Sequence, residues 1–271
     1  MKKVIVSFSG GRTSAYMAYK MQFSPEYSDW EKHYVFANTG KEMEETLRFI
    51  DRCDKEFGLN LTWVESVITQ EKGIGVSWRL IDFDTASRKG EPFSAMVQKF
   101  GIPNKNFPHC TRELKERPMA KWAAETIGSN AVWAIGFRAD EKRRAGNANG
   151  RIFPLITTWP TSERMVRGFW ANMPFDLELR DYEGNCDLCW KKSLAKRLTI
   201  ISENPEVAKQ WKEWEKSGDY IFDRDGITIE QMESISTANK FRAAKDKYAT
   251  ACKMPELFGI DLLRESHCHC G

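Results

Sequence analysis

Serine and glycine residues near the start of the chain form a segment whose composition suits phosphate binding. The segment VIVSFSGGRTS places the adjacent Gly10 and Gly11 between hydroxyl-bearing residues. Because glycine has no Cβ, the backbone N–H groups of such a loop can approach an anion closely. A following helix would add the positive end of its dipole. The candidate phosphate-binding residues are Ser7, Ser9, Gly10, Gly11, Arg12, Thr13 and Ser14.

Five cysteine residues have a placement that suits metal binding. Cys186 and Cys189 form a CxxC pair in the turn GNCDLCWKKS, Cys110 precedes a basic helical segment, and SHCHCG contains Cys268 and Cys270. Both cysteines of a CxxC turn can face one metal ion, because turn N–H groups stabilise paired thiolates. Free thiols are an alternative, and a redox dithiol would need a thioredoxin-like strand that the sequence lacks. We expect Cys110, Cys186 and Cys189 to bind a metal with Cys268 or Cys270.

Arginine residues follow an apolar segment in the middle of the chain. Residues 131–137, AVWAIGF, are almost continuously apolar, and Arg138 and Arg144 lie directly after them in RADEKRRAG. A charged run of this kind is usually a solvated loop. Arginine at a strand end can also bind oxyanions, because its planar guanidinium donates two parallel hydrogen bonds and keeps its charge.

A second basic run follows the CxxC pair. We expect a solvated helix face here rather than one basic patch shared with Arg143 and Arg144. The run contains Lys191, Lys192, Lys196 and Arg197.

Apolar periodicity predicts strands that bring these groups together. Strands are expected at residues 4–6, 33–40, 61–65 and 131–137, with a return strand at 152–156. The first strand ends at the glycine loop, and the second ends at Asn38, Thr39 and Gly40. Because parallel strands present ligands at their carboxyl ends, we expect those three residues beside the glycine loop.

Helical periodicity covers much of the remaining chain. The segment at residues 66–108 contains several glycine and proline residues and, apart from residues 92–100, has no clear periodicity. A long irregular connection of this kind could form a loop that covers the substrate. Trp211 and Trp214 are three residues apart, which favours packing against the body of the protein over base stacking. Thr111 is the expected N-cap of its helix. The expected helices are residues 13–22, 42–57, 92–100, 111–127, 162–170, 194–216 and 229–248.

The composition limits the class of protein. The chain has 271 residues with 12% aromatic residues and a net charge of +3, and its mean hydropathy is −0.54. No apolar run is long enough to span a bilayer, and MKKVIV leads into a glycine turn rather than a cleavage site. We therefore expect a soluble, cytoplasmic protein without membrane contact, in which cysteines are reduced.

Two of these segments resemble motifs of a known enzyme family. SGGRTS resembles the PP-loop of the ATP pyrophosphatase superfamily, with Arg12 where many members have lysine and Thr13 where many have aspartate. The sequence NTG followed by Glu45-Thr46 resembles the "DTG…ET" segment of the phosphoadenosine phosphosulfate (PAPS) reductase branch, which contacts the nucleotide. Asn38 replaces the aspartate of that segment.

Two further segments carry the same resemblance. Gly136, Arg138, Glu141 and Arg144 resemble the family's "GxRxxE…R" segment, which binds nucleotide or sulfate-like anions. Cys110 begins a segment that resembles the family's cysteine followed by a basic helix ending in Lys-x-x-Pro. Here the matching residues are Lys115 and Pro118.

The resemblance implies an α/β protein with a Rossmann-like adenine nucleotide alpha hydrolase fold and a mostly parallel sheet. We expect a PP-loop nucleotide-binding domain at residues 1–183. A helical, cysteine-containing extension at residues 184–271 is expected to pack on it.

The resemblance also implies an enzyme that binds ATP with Mg²⁺, or another adenylyl nucleotide. The expected reaction is adenylation of a substrate with release of pyrophosphate, coupled to sulfur transfer. The catalytic residues that it implies are Arg12, Cys110, Arg138 and Arg144; Gly136 and the NTG residues would contact the nucleotide. Some relatives carry a [4Fe–4S] cluster near the nucleotide, which implies this cofactor here, with zinc as the alternative.

Two other functions stay open. The first is a PAPS or APS reductase, which in the family carries a C-terminal catalytic cysteine within the signature Glu-Cys-Gly-(Ile/Leu)-His. This chain has HCHCG instead, a departure that favours nucleotide-dependent sulfur transfer over reduction. A non-catalytic nucleic-acid-binding or regulatory protein on the same fold is the second alternative. The acceptor stays open between tRNA, DNA and a small metabolite, and a homo-oligomer is compatible with the sequence.

Overall fold

The chain folds around a mostly parallel sheet. The computed structural model describes residues 1–146, 149–184, 186–218 and 220–246. The strand order is β4-β3-β2-β1-β5-β6, in which β3 and β4 pair antiparallel and the other described neighbours pair parallel. This confirms the expected α/β fold class. The strands are β1 (Lys3–Ser7), β2 (Glu31–Asn38), β3 (Thr62–Val67), β4 (Ser77–Ile81), β5 (Val132–Ala134) and β6 (Arg151–Ile152).

Helices cover both faces of this sheet. Val4 and Val6 of β1 lie in the hydrophobic cluster on one face, and Ile5 lies in the cluster on the other, as alternation along a strand requires. All three side chains are buried because helices cover both faces. The helices are α1 (Arg12–Phe23), α2 (Glu44–Phe57), α3 (Glu91–Phe100), α4 (His109–Thr111), α5 (Arg117–Thr126), α6 (Pro154–Thr157), α7 (Glu163–Ala171), α8 (Leu194–Glu203), α9 (Val207–Lys216) and α10 (Ile229–Thr237).

The centre of the sheet positions the glycine loop. β1 pairs with β2 on one side and β5 on the other, and the strand order reverses at this point. A crevice therefore opens beyond the carboxyl end of β1, which is where ligands bind in open α/β sheets.

Helices α8, α9 and α10 pack against α3 in a separate hydrophobic cluster. Phe93 of α3 stacks on Trp214, with ring centroids 4.7 Å apart, and also contacts Trp211 at 5.0 Å. Packing of both tryptophans against the body of the protein is therefore confirmed.

Local structure differs from the expected elements where backbone pairing depends on distant neighbours. Strand β4 occupies part of residues 66–108, where no strand was expected. The helix expected from an N-cap at Thr111 begins at His109 instead, and Thr111 has helical dihedral angles. The π-helical segment Arg112–Glu116 then leads into α5. This wider turn accommodates Pro118 near the start of α5, since proline cannot make the normal helical hydrogen bond.

Several other expected elements are shorter or divided. β5 covers three residues of the expected strand, and the return strand ends at Ile152 because Pro154 begins α6. The expected helix at residues 194–216 divides into α8 and α9 around Pro205. Among the described residues, no helix combines the length and apolar character needed to cross a membrane.

Candidate nucleotide site and cysteine cluster

The glycine loop between β1 and α1 is held by its own serines. The Ser14 hydroxyl accepts hydrogen bonds from the Ser9 backbone N–H at 3.1 Å and the Ser9 hydroxyl at 3.0 Å. It donates to the Gly11 carbonyl at 2.9 Å. Gly11 is the N-cap of α1 and supplies no side-chain acceptor, so N–H groups of the first helical turn remain available to an anion.

A cavity of about 640 Å³ lies against this loop. Its volume is in the range of pockets that bind ligands of nucleotide size. The loop contributes Ser7, Ser9, Gly11, Arg12, Thr13 and Ser14 to the lining. The segment after β5 contributes Gly136, Arg138, Glu141 and Arg144. Residues expected to bind the nucleotide from two distant parts of the chain therefore share one cavity.

Gly136 lies close to the loop. A Cβ at this position would be 3.4 Å from Ser14 Cα, at the near end of ordinary van der Waals contact, so the β5 end lies directly against the start of α1. Glycine thus permits the close approach of the β5 end to the phosphate-binding loop.

Arg12 lines the cavity while its guanidinium fastens a later segment of the chain. Nε donates to Asp176 Oδ1 at 2.7 Å, and Nη2 donates to Asp176 Oδ2 at 3.1 Å and to the Leu177 carbonyl. Trp170 Nε1 also donates to the Arg12 carbonyl at 2.9 Å. Arg12 therefore holds the segment that carries Leu177, another lining residue, against the loop.

Arg138 connects the loop to an acidic residue of the segment that follows β5. Its Nη1 donates to Thr13 Oγ1 at 3.3 Å, and its Nε donates to Asp140 at 2.9 Å. Arg144 is more exposed, pairs with Glu141 and lies over the Phe137 ring at 4.6 Å. Both arginines line the cavity, so their guanidinium groups could contact an anionic ligand there.

Sequence reasoning did not assign a ligand role to several lining residues. Glu163 and Arg167 are one turn apart on α7 and form an ion pair at 2.7 Å, a spacing that the sequence does contain. Leu177, Asp181 and Lys196 lie farther along the chain and carry no local signal of a shared site.

The NTG segment, which begins with the last residue of β2, lies outside the cavity lining. Asn38 is fully buried and donates to Glu65 Oε1 at 2.6 Å and to the Ser87 carbonyl at 2.9 Å, while its Oδ1 accepts from the Gly40 N–H. Thr39 is also fully buried, and its hydroxyl donates to Glu42. In this conformation the polar atoms of both side chains bind protein partners, so their expected nucleotide contacts stay predictions.

Thr39 belongs instead to a second group of residues, which we call the cysteine cluster and which contains Cys110, Cys186 and Cys189. Thr39 Oγ1 lies 3.7 Å from Cys186 Sγ, and Glu42 forms an isolated antiparallel bridge with Cys186. The three sulfurs lie close enough for their charges to interact: Cys189 helps to raise the pKa of the Cys110 and Cys186 thiols. All four described cysteines are free thiols. Cys252, Cys268 and Cys270 lie outside the described residues.

Lys115 supplies positive charge at the cysteine cluster. Its Nζ lies 3.6 Å from the buried carboxylate of Glu42. Burial alone would lower the pKa of Lys115, but Glu42 and the three cysteines outweigh it and raise that pKa. Burial raises the pKa of the Cys110 and Cys186 thiols, with Glu42 adding to the effect at Cys186. Burial thus opposes formation of a thiolate at both of these cysteines.

The donor chemistry of the cysteine cluster suits a soft metal, since thiolates are soft ligands. The neighbouring Lys115 ammonium could offset negative charge on the thiolates of such a site. Within residues 1–146, 149–184, 186–218 and 220–246, no group of three His, Cys, Asp or Glu side chains has the geometry of a metal site. The three thiols are therefore neighbours without forming a complete ligand set by themselves.

The basic run after the CxxC pair is not a uniformly solvated face, which corrects the expectation from sequence. Lys192 Nζ donates to the carbonyls of Glu183, Cys186 and Asp187, at 2.7, 2.7 and 2.9 Å, and so fixes the CxxC turn. Arg197 is fully buried and pairs with Asp223. Lys196 lines the cavity together with Arg144.

Comparison with known proteins finds a family match over the part of the chain that contains the glycine loop and the arginines after β5. Residues 3–166 match the model of a family described as the phosphoadenosine phosphosulfate reductase domain. An uncharacterized nin region protein of Escherichia phage lambda is 35% identical over 196 residues, which cover 71% of this chain and 67% of that protein. An uncharacterized protein of Methanocaldococcus jannaschii is 25% identical over 226 residues, which cover 79% of this chain but 41% of that protein.

Proposed function

Because the chain belongs to the phosphoadenosine phosphosulfate reductase domain family, we propose that it is a nucleotide-dependent enzyme that adenylates an acceptor and transfers sulfur to it. The nucleotide is ATP with Mg²⁺. The observation that carries the proposal is the cavity at the carboxyl end of β1, where the Ser9–Ser14 loop meets the arginines that follow β5.

The loop supports phosphate binding through its backbone N–H groups, because the Ser9 and Ser14 hydroxyl protons are already donated within the loop. The hydrogen bonds between Ser9 and Ser14 fix the loop before a ligand arrives, so little reorganisation is needed on binding. Mg²⁺ would enter with the nucleotide and neutralise part of its phosphate charge. Arg138 and Arg144 would stabilise the charge that develops on the α-phosphate.

The proposed reaction has two displacements. In the first, an oxygen of the acceptor attacks the α-phosphorus, the bond to the β-phosphate oxygen breaks, and pyrophosphate leaves. In the second, a sulfur nucleophile such as hydrosulfide attacks the activated atom of the acceptor, and AMP leaves with the original oxygen. Arg12 would serve both steps by holding the Leu177 wall of the cavity against the loop.

Gly11→Ala tests the phosphate site directly. No protein atom lies within 4 Å of a Cβ at Gly11, and its φ of −97° suits alanine. The added methyl group would therefore occupy ligand space without disturbing the fold. We expect weaker ATP binding, about tenfold or more, and a loss of at most about 1 kcal/mol of stability, because alanine is a poorer N-cap than glycine.

Gly75→Ala is the matched control, because Gly75 also has no protein atom near its Cβ and does not line the cavity. Affinity is measured by calorimetry, and pyrophosphate release is measured with candidate acceptors. If wild type binds no ATP, or if both variants bind it equally well, the cavity is not the phosphate site. ATP binding without pyrophosphate release for any acceptor would favour a non-catalytic nucleotide-binding protein.

The cysteine cluster supports a second part of the proposal. Cys110, Cys186 and Cys189 would hold a [4Fe–4S] cluster, or zinc, with Cys268 or Cys270 as the fourth ligand. A cluster would supply redox or sulfide chemistry, whereas zinc would fix the thiolates. Iron, sulfide and zinc analysis after anaerobic purification tests this, with Cys186→Ala expected to lose the metal and Cys53→Ala, in the core of α2, expected to keep it. Wild type without metal would contradict it.

A PAPS reductase is the second candidate, and the family match over residues 3–166 is the observation that favours it. Such an enzyme would bind a sulfonucleotide in the same cavity and release sulfite with electrons from a dithiol donor such as thioredoxin. Thioredoxin-dependent sulfite release without pyrophosphate release would establish this candidate over adenylation.

A further inference from the structure

Lys196 is a cationic residue of the cavity that the proposed reaction leaves without a role. It lies in the first turn of α8, beyond the end of the family match at residue 166. It nevertheless lines the same cavity as the Ser9–Ser14 loop. The C-terminal part of the chain therefore completes a site whose other half belongs to the family domain.

The other cationic residues of the cavity have carboxylate partners. Arg12 pairs with Asp176 at 2.7 Å, Arg138 with Asp140 at 2.9 Å, and Arg167 with Asp181 at 2.9 Å. Arg144 pairs with Glu141. These ion pairs already balance much of the positive charge that surrounds the cavity.

Lys196 differs from them. Its Nζ donates to the backbone carbonyl of Asp181 at 3.0 Å. In the part of the chain that the structure describes, no carboxylate oxygen lies within 4.0 Å of this ammonium group. The positive end of the α8 dipole adds to the positive electrostatic potential around this group. An ammonium group at a cavity wall without a counter-charge is a ready partner for an oxyanion.

We propose that Lys196 binds a second phosphate group of the ligand, distinct from the phosphate bound by the Ser9–Ser14 loop. This inference rests on the proposed nucleotide site and specifies its ligand as an adenine nucleotide with more than one phosphate. The additional phosphate has two sources with the same chemistry, namely the 5′ chain and the ribose 3′ position.

The test compares three probes on the full chain: AMP, ATP and adenosine 3′,5′-bisphosphate. We expect Lys196→Gln to bind AMP within about twofold of wild type, and to bind at least one of the other two about tenfold more weakly. Weaker ATP binding identifies the 5′ chain, and weaker bisphosphate binding identifies the ribose phosphate. Lys196→Arg keeps the charge and should stay close to wild type.

Lys209→Gln is the control for charge removal, because Lys209 is exposed and pairs with Glu206 away from the cavity. Equal affinity of wild type and Lys196→Gln for every probe that wild type binds would overturn the inference. An equal loss for all three probes would also overturn it, because Lys196 would then contact the first phosphate. If wild type binds none of the probes, the proposed nucleotide site fails as well.

Discussion

Gly10 and Gly11 are adjacent but have different physical roles. Gly10 has a φ of +79°, and a Cβ there would lie 2.7 Å from Thr46 Cγ2. We expect Gly10→Ala to lower the free energy of unfolding by more than the roughly 1–2 kcal/mol that left-handed backbone costs alanine, since the contact with α2 adds to it. Urea unfolding of wild type and variant measures this difference.

Gly58→Ala separates the two contributions. Gly58 has a φ of +60° but no protein atom within 4 Å of its Cβ position, so alanine there meets the backbone cost alone. Gly10→Ala should be the more destabilising of the two. Equal losses would mean that Thr46 moves aside freely and that α2 does not constrain the loop.

The loop was predictable from sequence because its signal is local. A β-branched run followed by serine and two glycines specifies strand, turn and anion-binding backbone within a dozen residues. The direction of the Arg12 side chain was not predictable, since its partner Asp176 is 164 positions away. Lys196 was assigned to a solvated helix face for the same reason, because only the folded chain brings it to the cavity.

At the scale of elements, a buried ion pair connects α8 to the segment before α10. Arg197 and Asp223 are both fully buried, and Asp223 Oδ2 also accepts from the Asp225 and Ile227 N–H groups. Arg197→Met removes the cation and leaves a buried carboxylate. We expect a loss of about 3–5 kcal/mol in the free energy of unfolding, measured in urea.

Adding Asp223→Asn provides the matched test, because the amide oxygen can still accept the two backbone hydrogen bonds. The double variant should recover part of the stability that Arg197→Met loses, since neither residue of the pair then carries a charge. If the double variant is less stable than the single one, charge isolation is not the source of the loss.

A second inter-element contact predicts a dependence on pH. Arg88 Nε donates to Glu44 Oε2 at 2.7 Å and joins the loop before α3 to α2. The Arg88 hydrogen bond lowers the pKa of Glu44 from its ordinary value of 4.5, although burial acts in the opposite direction. A lowered folded-state pKa stabilises the protein above the unfolded value, and this stabilisation is lost as the pH falls through the folded value.

Glu44→Gln should therefore lower stability at neutral pH and lose less stability than wild type on acidification below pH 4.5. The two curves of unfolding free energy against pH should converge in acid. Arg88→Gln removes the same contact and should converge similarly. Parallel curves for wild type and Glu44→Gln would show that the pair does not couple folding to protonation of this carboxylate.

The elements predicted best from sequence are those with strong local patterns. The buried run of β1 and the acidic start of α2 are visible in the sequence, and both elements form close to the expected positions. Strand β4 was missed because it is an edge strand: Leu80 is 64% exposed, so apolar alternation does not report its pairing with β3. The π-helical segment before Pro118 has no sequence pattern that distinguishes it from an ordinary helix.

At the scale of the whole molecule, the expected boundary after residue 183 divides a shared hydrophobic cluster. Phe93, Met96 and Val97 of α3 pack with residues of α8, α9 and α10. Lys41 adds a polar connection, because its Nζ lies 2.9 Å from Asp187 Oδ2 and 3.0 Å from Gln210 Oε1. Sequence periodicity identifies each helix face as apolar, and the extension was expected to pack on the domain, but the pattern does not identify α3 as its partner.

This shared cluster predicts that residues 1–183 do not form a stable domain alone. Truncation there would expose Phe93, Met96, Val97, Ile102 and Leu114, which are all buried in the full chain. Exposing each costs about 1.5–3 kcal/mol, against a stability of about 5–15 kcal/mol for a typical native protein. We expect the truncated chain to bind a hydrophobic dye and to lack a cooperative thermal transition, whereas the full chain unfolds cooperatively. A cooperative transition near the full-chain midpoint would instead establish an independent nucleotide domain, to which Lys196 is supplied by a separate folding unit.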